Sequence, residues 1–186
     1  MGVVIAMNDI IISARDAIKY STFKVEAYQA PLYGVLGTIR NGQVSYCYRP
    51  TRRHTTTSHF KGKKLDLPYV EILYMYEGCS DAMFEAALKA GCKGIVTAGT
   101  GNGGTTMSMM KLYRDEAEKG VTDSKLPILV RSSRVPTGGV SEAYRVPGSR
   151  IISAGDLNPQ KAYMLLRFAL AVTDDPEEIR AIFKEY

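Results

Sequence analysis

The clearest chemical pattern in the sequence is a glycine-rich turn, Gly99-Thr-Gly-Asn-Gly-Gly104, which satisfies G-x-G-x-x-G. It follows an apolar run typical of a strand and precedes a pattern typical of a helix, the context in which such glycines bind a dinucleotide. Backbone N–H groups at the start of that helix could hold a pyrophosphate. The turn is therefore a candidate site for a nicotinamide or flavin cofactor.

Two features weigh against that interpretation. The fingerprint belongs to the first β-α unit of a Rossmann fold, whereas this turn follows the second predicted strand of its domain. The acid that binds the ribose should end the next strand, which here ends Arg131-Ser-Ser-Arg134. These arginines could receive the 2′-phosphate of NADP, so NADP binding stays open as an alternative. Otherwise the glycines simply allow a close approach of backbone segments.

Basic residues concentrate in one polar stretch of this chain of 186 residues and formal net charge +5. They are Arg49, Arg52, Arg53, His54, Lys61, Lys63 and Lys64. Such a cluster could contact phosphates. No aromatic stacking pattern or basic helix face accompanies it, so we interpret it as a solvated loop and expect no nucleic-acid partner.

The cysteines are Cys47, Cys79 and Cys92, an odd number without a C-x-x-C pair. This spacing argues against a zinc site and a disulfide framework, and predicts three buried thiols. No apolar run approaches the roughly 20 residues that span a bilayer, so no membrane partner is expected. The N-terminal segment lacks the basic region and cleavage pattern of a signal peptide.

The first 48 residues predict strands and a hairpin. Val3–Ala6 is apolar on both faces, as in a buried parallel strand, and a short strand follows at Ile10–Ile12. A central strand so near residue 1 leads us to expect that elements upstream are missing. Asn41-Gly42 predicts a type I′ turn between strands at 35–39 and 43–48. Residues 49–66 are polar and predict a linker.

The remainder alternates strands with helices. Strands are predicted at 69–76, 94–98 and 127–131, with helices at 80–90, capped by Ser80 and stopped by Gly91, and at 105–119, stopped by Gly120. This β-α-β-α-β order requires right-handed crossovers and a parallel sheet.

Two more helices and a short strand complete the prediction. The strand is Ile151–Ser153, and Asn158 caps a helix that begins at Pro159. Its predicted apolar face comprises Met164, Leu165, Phe168, Ala169 and Val172. The last helix opens with a capping arrangement at 175–178, and its inward residues are Ile179, Ile182 and Phe183.

Seven motifs together resemble one family. They are MND…ARDAIK at 7–19, PLYGVLGTIRNGQVSY at 31–46, RRHT at 52–55, GIVTAGTGNG at 94–103, VRSSRVPTG at 130–138, LNPQKA at 157–162 and DPEEIRAIFKEY at 175–186. Their order and spacing resemble those of bacterial-type (type II) L-asparaginases and glutaminase-asparaginases, and correspond to the C-terminal portion only.

The resemblance implies an α/β fold in two domains. Residues 1–48 would be the end of an N-terminal α/β domain with a β-hairpin, and residues 49–66 a linker. Residues 67–186 would form a smaller parallel-sheet, flavodoxin-like C-terminal domain. It also implies a tetramer built as a dimer of dimers, hydrolysis of L-asparagine to L-aspartate and ammonia, and in some members use of L-glutamine. It implies no metal or organic cofactor, and a bacterial periplasmic or cytoplasmic protein.

Only one catalytic residue carries over from the resemblance. Family members use two threonines: one attacks the amide carbon, and the other works with an Asp and a Lys. The T-G-G-T-I and T-H-G-T-D motifs that hold these threonines do not occur in this sequence, whereas Lys19 of ARDAIK matches the lysine. That lysine helps keep its threonine ready to give up a proton. We expect this chain alone to be inactive; the alternative is a non-catalytic oligomerisation or ligand-binding module.

The resemblance also gives the glycine turn a role. In the family the turn reads G-N-G-N, and its last Asn reaches the active site of a neighbouring subunit. Here that position is Gly104, while Asn102 remains. The family lends a Glu to the neighbour from the segment after VRSSRVPTG. Glu142 lies in this region, but the segment differs in length and we leave Glu142 unassigned.

Overall fold

The computed structural model describes residues 1–118, 126–142 and 149–186. The chain divides into two compact units, Met1–Lys61 and Gly62–Tyr186. The division falls inside residues 49–66, which the sequence predicts to be a linker. The predicted domain boundaries at residues 48 and 67 stay a prediction.

The first unit is built on antiparallel strands. A four-stranded sheet has the order β1-β2-β5-β6, and β3 and β4 form a separate two-stranded ribbon. The strands are β1 Val4–Met7, β2 Ile10–Ser13, β3 Ile18–Lys19, β4 Tyr28–Gln29, β5 Gly37–Arg40 and β6 Gln43–Tyr46. A short 3-10 helix at Thr55–Thr57 follows.

The predicted β5–β6 hairpin is confirmed. Arg40 pairs with Gln43, and the turn residues Asn41 and Gly42 have φ of 49° and 72°. Both central residues of a type I′ turn need this left-handed conformation, which asparagine and glycine tolerate.

The prediction of a buried parallel strand at Val3–Ala6 is wrong. β1 lies at the edge of its sheet and pairs antiparallel with β2, and Val3 is 70% exposed. The reason is a second tight turn, because Asn8 and Asp9 have φ of 49° and 60°. Asparagine and aspartate reach this conformation more easily than other non-glycine residues.

The second unit is a parallel sheet with strand order β10-β9-β8-β7. Its strands are β7 Val70–Tyr74, β8 Gly94–Gly99, β9 Ile128–Ser133 and β10 Ile151–Ser153. Its helices are α1 Ala82–Lys89, α2 Met107–Glu118, α3 Pro159–Leu170 and α4 Pro176–Glu185. The predicted β-α-β-α-β order and parallel pairing are confirmed. Lys119 and Gly120, predicted to end α2, lie outside the described residues.

Both faces of this sheet are covered. On one face Ile95 packs in a cluster with Phe84 of α1 and Met109 of α2. On the other, Gly94 faces α3 so closely that an added Cβ would lie 2.6 Å from Leu166 Cδ2. All six residues of β8 are buried, which explains why this strand is apolar without alternation.

The helix ends agree with the sequence in part. Gly91 has φ of 74° just beyond α1, as predicted for a helix stop. Asn158 caps α3 by accepting a hydrogen bond from Lys161 N at 3.0 Å, also as predicted. Ser80 does not cap α1: the N-cap is Asp81, whose carboxylate accepts from Ser108 Oγ at 3.0 Å instead.

The predicted apolar face of α3 is only partly right. Met164 and Val172 are each 40% exposed, whereas the buried residues of the helix include Ala162, Leu165, Leu166 and Ala169. These four follow the i, i+3, i+4, i+7 spacing of one helix face, and Val172 lies beyond the helix end at Leu170. The inward residues of α4 are confirmed, since Ile179, Ile182 and Phe183 are all buried.

The prediction of three buried thiols is wrong. Cys92 is buried, but Cys79 is half-buried and Cys47, one residue after β6, is exposed. Cys47 follows an edge strand whose four residues are all exposed, so no core is available to it.

None of the helices within the described ranges is long and apolar enough to cross a membrane.

The difference between the cysteines predicts their reactivity. Burial raises the pKa of the Cys92 thiol and also blocks access to it, so less thiolate is available to a reagent. In the folded chain we expect iodoacetamide to modify Cys92 at least about tenfold more slowly than Cys47. Mass spectrometry of the alkylated peptides over time measures both rates, and urea-unfolded chain is the control. Equal rates in the folded chain would contradict the described burial.

The cap of α4 allows a stability test. Asp175 Oδ1 accepts hydrogen bonds from Glu177 N at 2.8 Å and Glu178 N at 2.9 Å. Asp175→Ala should lower the free energy of unfolding by about 1 kcal/mol, measured by urea titration and circular dichroism. Asp174→Ala is the matched control, because the neighbouring exposed Asp174 provides no cap. An Asp175 variant as stable as this control would show that the cap contributes nothing.

Candidate functional site

Lys19 ends the short strand β3 in the first unit. Its side chain is exposed, and its Nζ lies 5.2 Å from the ring centroid of Tyr28. The preceding turn is fixed by Asp16, which is 7% exposed and accepts a hydrogen bond from Tyr33 N at 3.1 Å. Asp16 of ARDAIK thus anchors the start of the strand that presents the lysine.

The glycine turn lies in the second unit, at the carboxyl end of β8, and it closes on itself. Thr100 N donates to Gly104 O at 3.0 Å, and Gly104 N donates to Thr100 O at 2.7 Å. Gly101 and Gly103 have φ of 47° and 70°. A Cβ on Gly99 would lie 2.6 Å from the carbonyl carbon of Gly103, so only glycine allows this return.

This closure bears on the dinucleotide alternative. The N–H groups of Thr100 and Gly104 are engaged within the turn, and α2 begins only at Met107. Arg131 donates to the carbonyls of Asn102 at 2.8 Å and Gly103 at 3.1 Å. Two amides of the turn and the guanidinium of Arg131, which a bound dinucleotide could otherwise use, are therefore directed at the turn's own backbone.

The side chain of Asn102 holds the turn to a second segment. Its Oδ1 accepts from Ser141 N and its Nδ2 donates to Ser141 Oγ, both at 2.8 Å. The sequence alone does not indicate this pair, because 39 residues separate its members. Together with Arg131, it makes the turn a rigid structure at the carboxyl edge of the sheet.

Glu142 lies next to this pair and is bound by α4. Its carboxylate lies 3.6 Å from Arg180 Nε and 3.6 Å from Lys184 Nζ. Arg180 is only 4% exposed and also donates to the carbonyls of Ser149 and Ile151. A buried cation needs such partners, so the structure gives Glu142 a local role. The residues that follow it, 143–148, lie outside the described ranges.

Sequence reasoning missed Arg180, since charged residues are rarely buried, although it shares the buried face of α4 with Ile179 and Phe183. Within residues 1–118, 126–142 and 149–186, no group of three or more His, Cys, Asp or Glu side chains could hold a metal ion. Lys19 belongs to the first unit, and Asn102, Ser141 and Glu142 belong to the second.

Comparison with known proteins identifies the family. The model of the glutaminase/asparaginase C-terminal domain matches residues 69–183, and that of the asparaginase N-terminal domain matches residues 1–52. The chain belongs to the type II L-asparaginase/glutaminase-asparaginase family. The family resemblance carried by the seven motifs is thereby confirmed.

The curated relatives of this asparaginase-family chain match it from end to end. It is 40% identical to L-asparaginase 2 of Escherichia coli, with all of this chain and 52% of the relative covered. It is 42% identical to a probable periplasmic L-asparaginase of Haemophilus influenzae, at the same coverage. It is 40% identical to a glutaminase-asparaginase of Pseudomonas aeruginosa, of which 50% is covered. The chain thus spans about half the length of the curated relatives it matches.

The Asn102–Ser141 pair predicts the stability of the asparaginase-family C-terminal unit. Asn102→Ala removes two side-chain hydrogen bonds and should cost about 1 to 2 kcal/mol of unfolding free energy. Asn102→Asp is the matched control, because its carboxylate still accepts from Ser141 N and the Ser141 hydroxyl can rotate to donate to it. Urea unfolding gives the stability, and hydrogen exchange of the Ser141 amide reports the bond itself. Unchanged exchange in Asn102→Ala would contradict the described pairing.

Proposed function

We propose that this chain is part of an L-asparaginase that hydrolyses L-asparagine to L-aspartate and ammonia. The observation that carries the proposal is the match along the whole chain at 40% identity to a protein named L-asparaginase 2. Equal identity to a glutaminase-asparaginase makes L-glutamine a second substrate to test. The proposed assembly is the homotetramer, a dimer of dimers, that the family resemblance implies.

In this proposal Lys19 is the catalytic residue that the chain contributes. Its ammonium lies close to a threonine hydroxyl and favours loss of the hydroxyl proton. A threonine oxygen then attacks the amide carbon, the C–N bond breaks, and ammonia leaves with the transferred proton. Water hydrolyses the resulting ester to release aspartate. The threonines would belong to the part of the family's length that this chain does not span.

A second candidate function is a non-catalytic oligomerisation or ligand-binding module. One observation favours it: large apolar side chains of the second unit are exposed. Exposed apolar patches commonly mark interaction surfaces. The exposed side chains near the carboxyl end of β7 and the start of α1 and α2 are Tyr74, Tyr76, Met83 and Met107.

The intact mass of the protein in its source cells separates the two candidates. An antibody raised against α4 captures the protein, and mass spectrometry weighs it. Since this chain has a mass of 20.5 kDa and covers 52% of a relative, the enzyme proposal predicts about twice that mass. A mass of 20.5 kDa without asparagine hydrolysis would support the non-catalytic module.

The role of Lys19 is tested in the protein that hydrolyses asparagine. Lys19→Met should lower kcat by about a hundredfold or more, because a positioned group that assists proton transfer contributes on that order. Lys24→Met is the matched control, since Lys24 is an exposed lysine in the segment that joins β3 and β4. Ammonia release measures both variants. Full activity in Lys19→Met would refute its assignment as a catalytic residue.

A further inference from the structure

The ammonium of Lys19 lies over the ring of Tyr28. Lys19 and Tyr28 are directly paired residues of the antiparallel ribbon formed by β3 and β4. Directly paired residues place their side chains on the same face of the ribbon. The 5.2 Å between Lys19 Nζ and the ring centroid lies within the roughly 6 Å over which a cation is attracted to an aromatic face.

The backbone of the ribbon is closed at both ends, which fixes this pairing. Beyond the pair, Tyr20 N donates to Ala27 O at 2.8 Å, and Ser21 N donates to the same carbonyl at 3.3 Å. Before it, the buried Asp16 accepts from Tyr33 N and ties the two arms together. A shift in register would break these contacts, so the ring and the ammonium stay opposite one another.

The two side chains differ in freedom. Lysine carries its charge on a flexible four-carbon stem, and this one is exposed. Tyr28 is half-buried, and its ring is rigid beyond two rotatable bonds. The ring therefore restricts the position of the lysine side chain, and the lysine does not determine the position of the ring. The contact is between the ammonium and the face of the ring, and it differs in this from an ion pair with a carboxylate.

We propose that Tyr28 is a positioning residue for Lys19, which it holds over its ring in the orientation needed for proton transfer. This inference rests on the proposed function of Lys19 and deepens it. The attraction needs an aromatic face and not a hydroxyl group, because it arises from the ring quadrupole. Tyr28→Phe should therefore preserve the attraction to the Lys19 ammonium, whereas substitution of Tyr28 by an aliphatic residue should abolish it.

A spectroscopic measurement tests the contact on this chain without any activity. The methylene protons beside Lys19 Nζ should show an upfield ring-current shift in the NMR spectrum. Tyr28→Phe should keep that shift, and Tyr28→Leu should lose it. Tyr28→Ile is a second aliphatic variant, since a β-branched residue suits a strand if leucine disturbs folding. A wild-type spectrum without the upfield shift would overturn the proposal.

The kinetic arm uses the protein that hydrolyses asparagine. Tyr28→Leu should lower kcat about two- to fivefold, the loss expected of one exposed cation–aromatic contact, with KM unchanged because Tyr28 acts through Lys19. Tyr28→Phe should restore the wild-type value. A normal kcat in Tyr28→Leu, despite loss of the ring-current shift, would refute the positioning role. Absence of asparagine hydrolysis by the wild-type source protein would instead refute the proposed function, and the positioning role with it.

Discussion

The second unit depends on the complete burial of β8. Its six residues lie between one cluster that includes α1 and α2 and, on the other face, α3. Gly94 begins the strand where a Cβ would collide with Leu166, and Gly99 ends it where a Cβ would collide with Gly103. The strand is thus packed too tightly at both ends for any residue other than glycine at positions 94 and 99. Glycine at position 99 allows the turn that follows to fold back against the end of the strand.

The turn in its closed form organises the carboxyl edge of the sheet. Its carbonyls accept hydrogen bonds from the side chains of Arg131 and Ser133 of β9. The side chain of Asn102 accepts a hydrogen bond from the backbone N–H of Ser141. Glu142, next along the chain, reaches the buried Arg180 of α4. A pattern that matches a nucleotide-binding fingerprint therefore serves here to join β9, the segment at 140–142 and α4. The spacing of the glycines matches the fingerprint, but here the N–H groups of Thr100 and Gly104 bond within the turn.

Much of the fold could be predicted from the sequence because its signals are local. Asn41-Gly42, Gly91 and Asn158 each set a backbone angle or satisfy a backbone group within four residues. The turn at Asn8-Asp9 was missed because the apolar residues before it resemble a buried strand equally well. The contacts of Arg180 and Asn102 could not be predicted, since each joins residues far apart in the chain. Lys19 is exposed and has no local signal of chemistry, so only the family motif identifies it.

In the proposed function, the natural protein containing this chain hydrolyses L-asparagine. The most direct measurement is ammonia release from L-asparagine by the material that an antibody against α4 removes from an extract of the source cells. We expect hydrolysis to appear in the captured fraction in proportion to the amount of this chain, and to fall by the same amount in the depleted extract. Captured protein that releases no ammonia from L-asparagine, with the extract's activity undiminished, would contradict it.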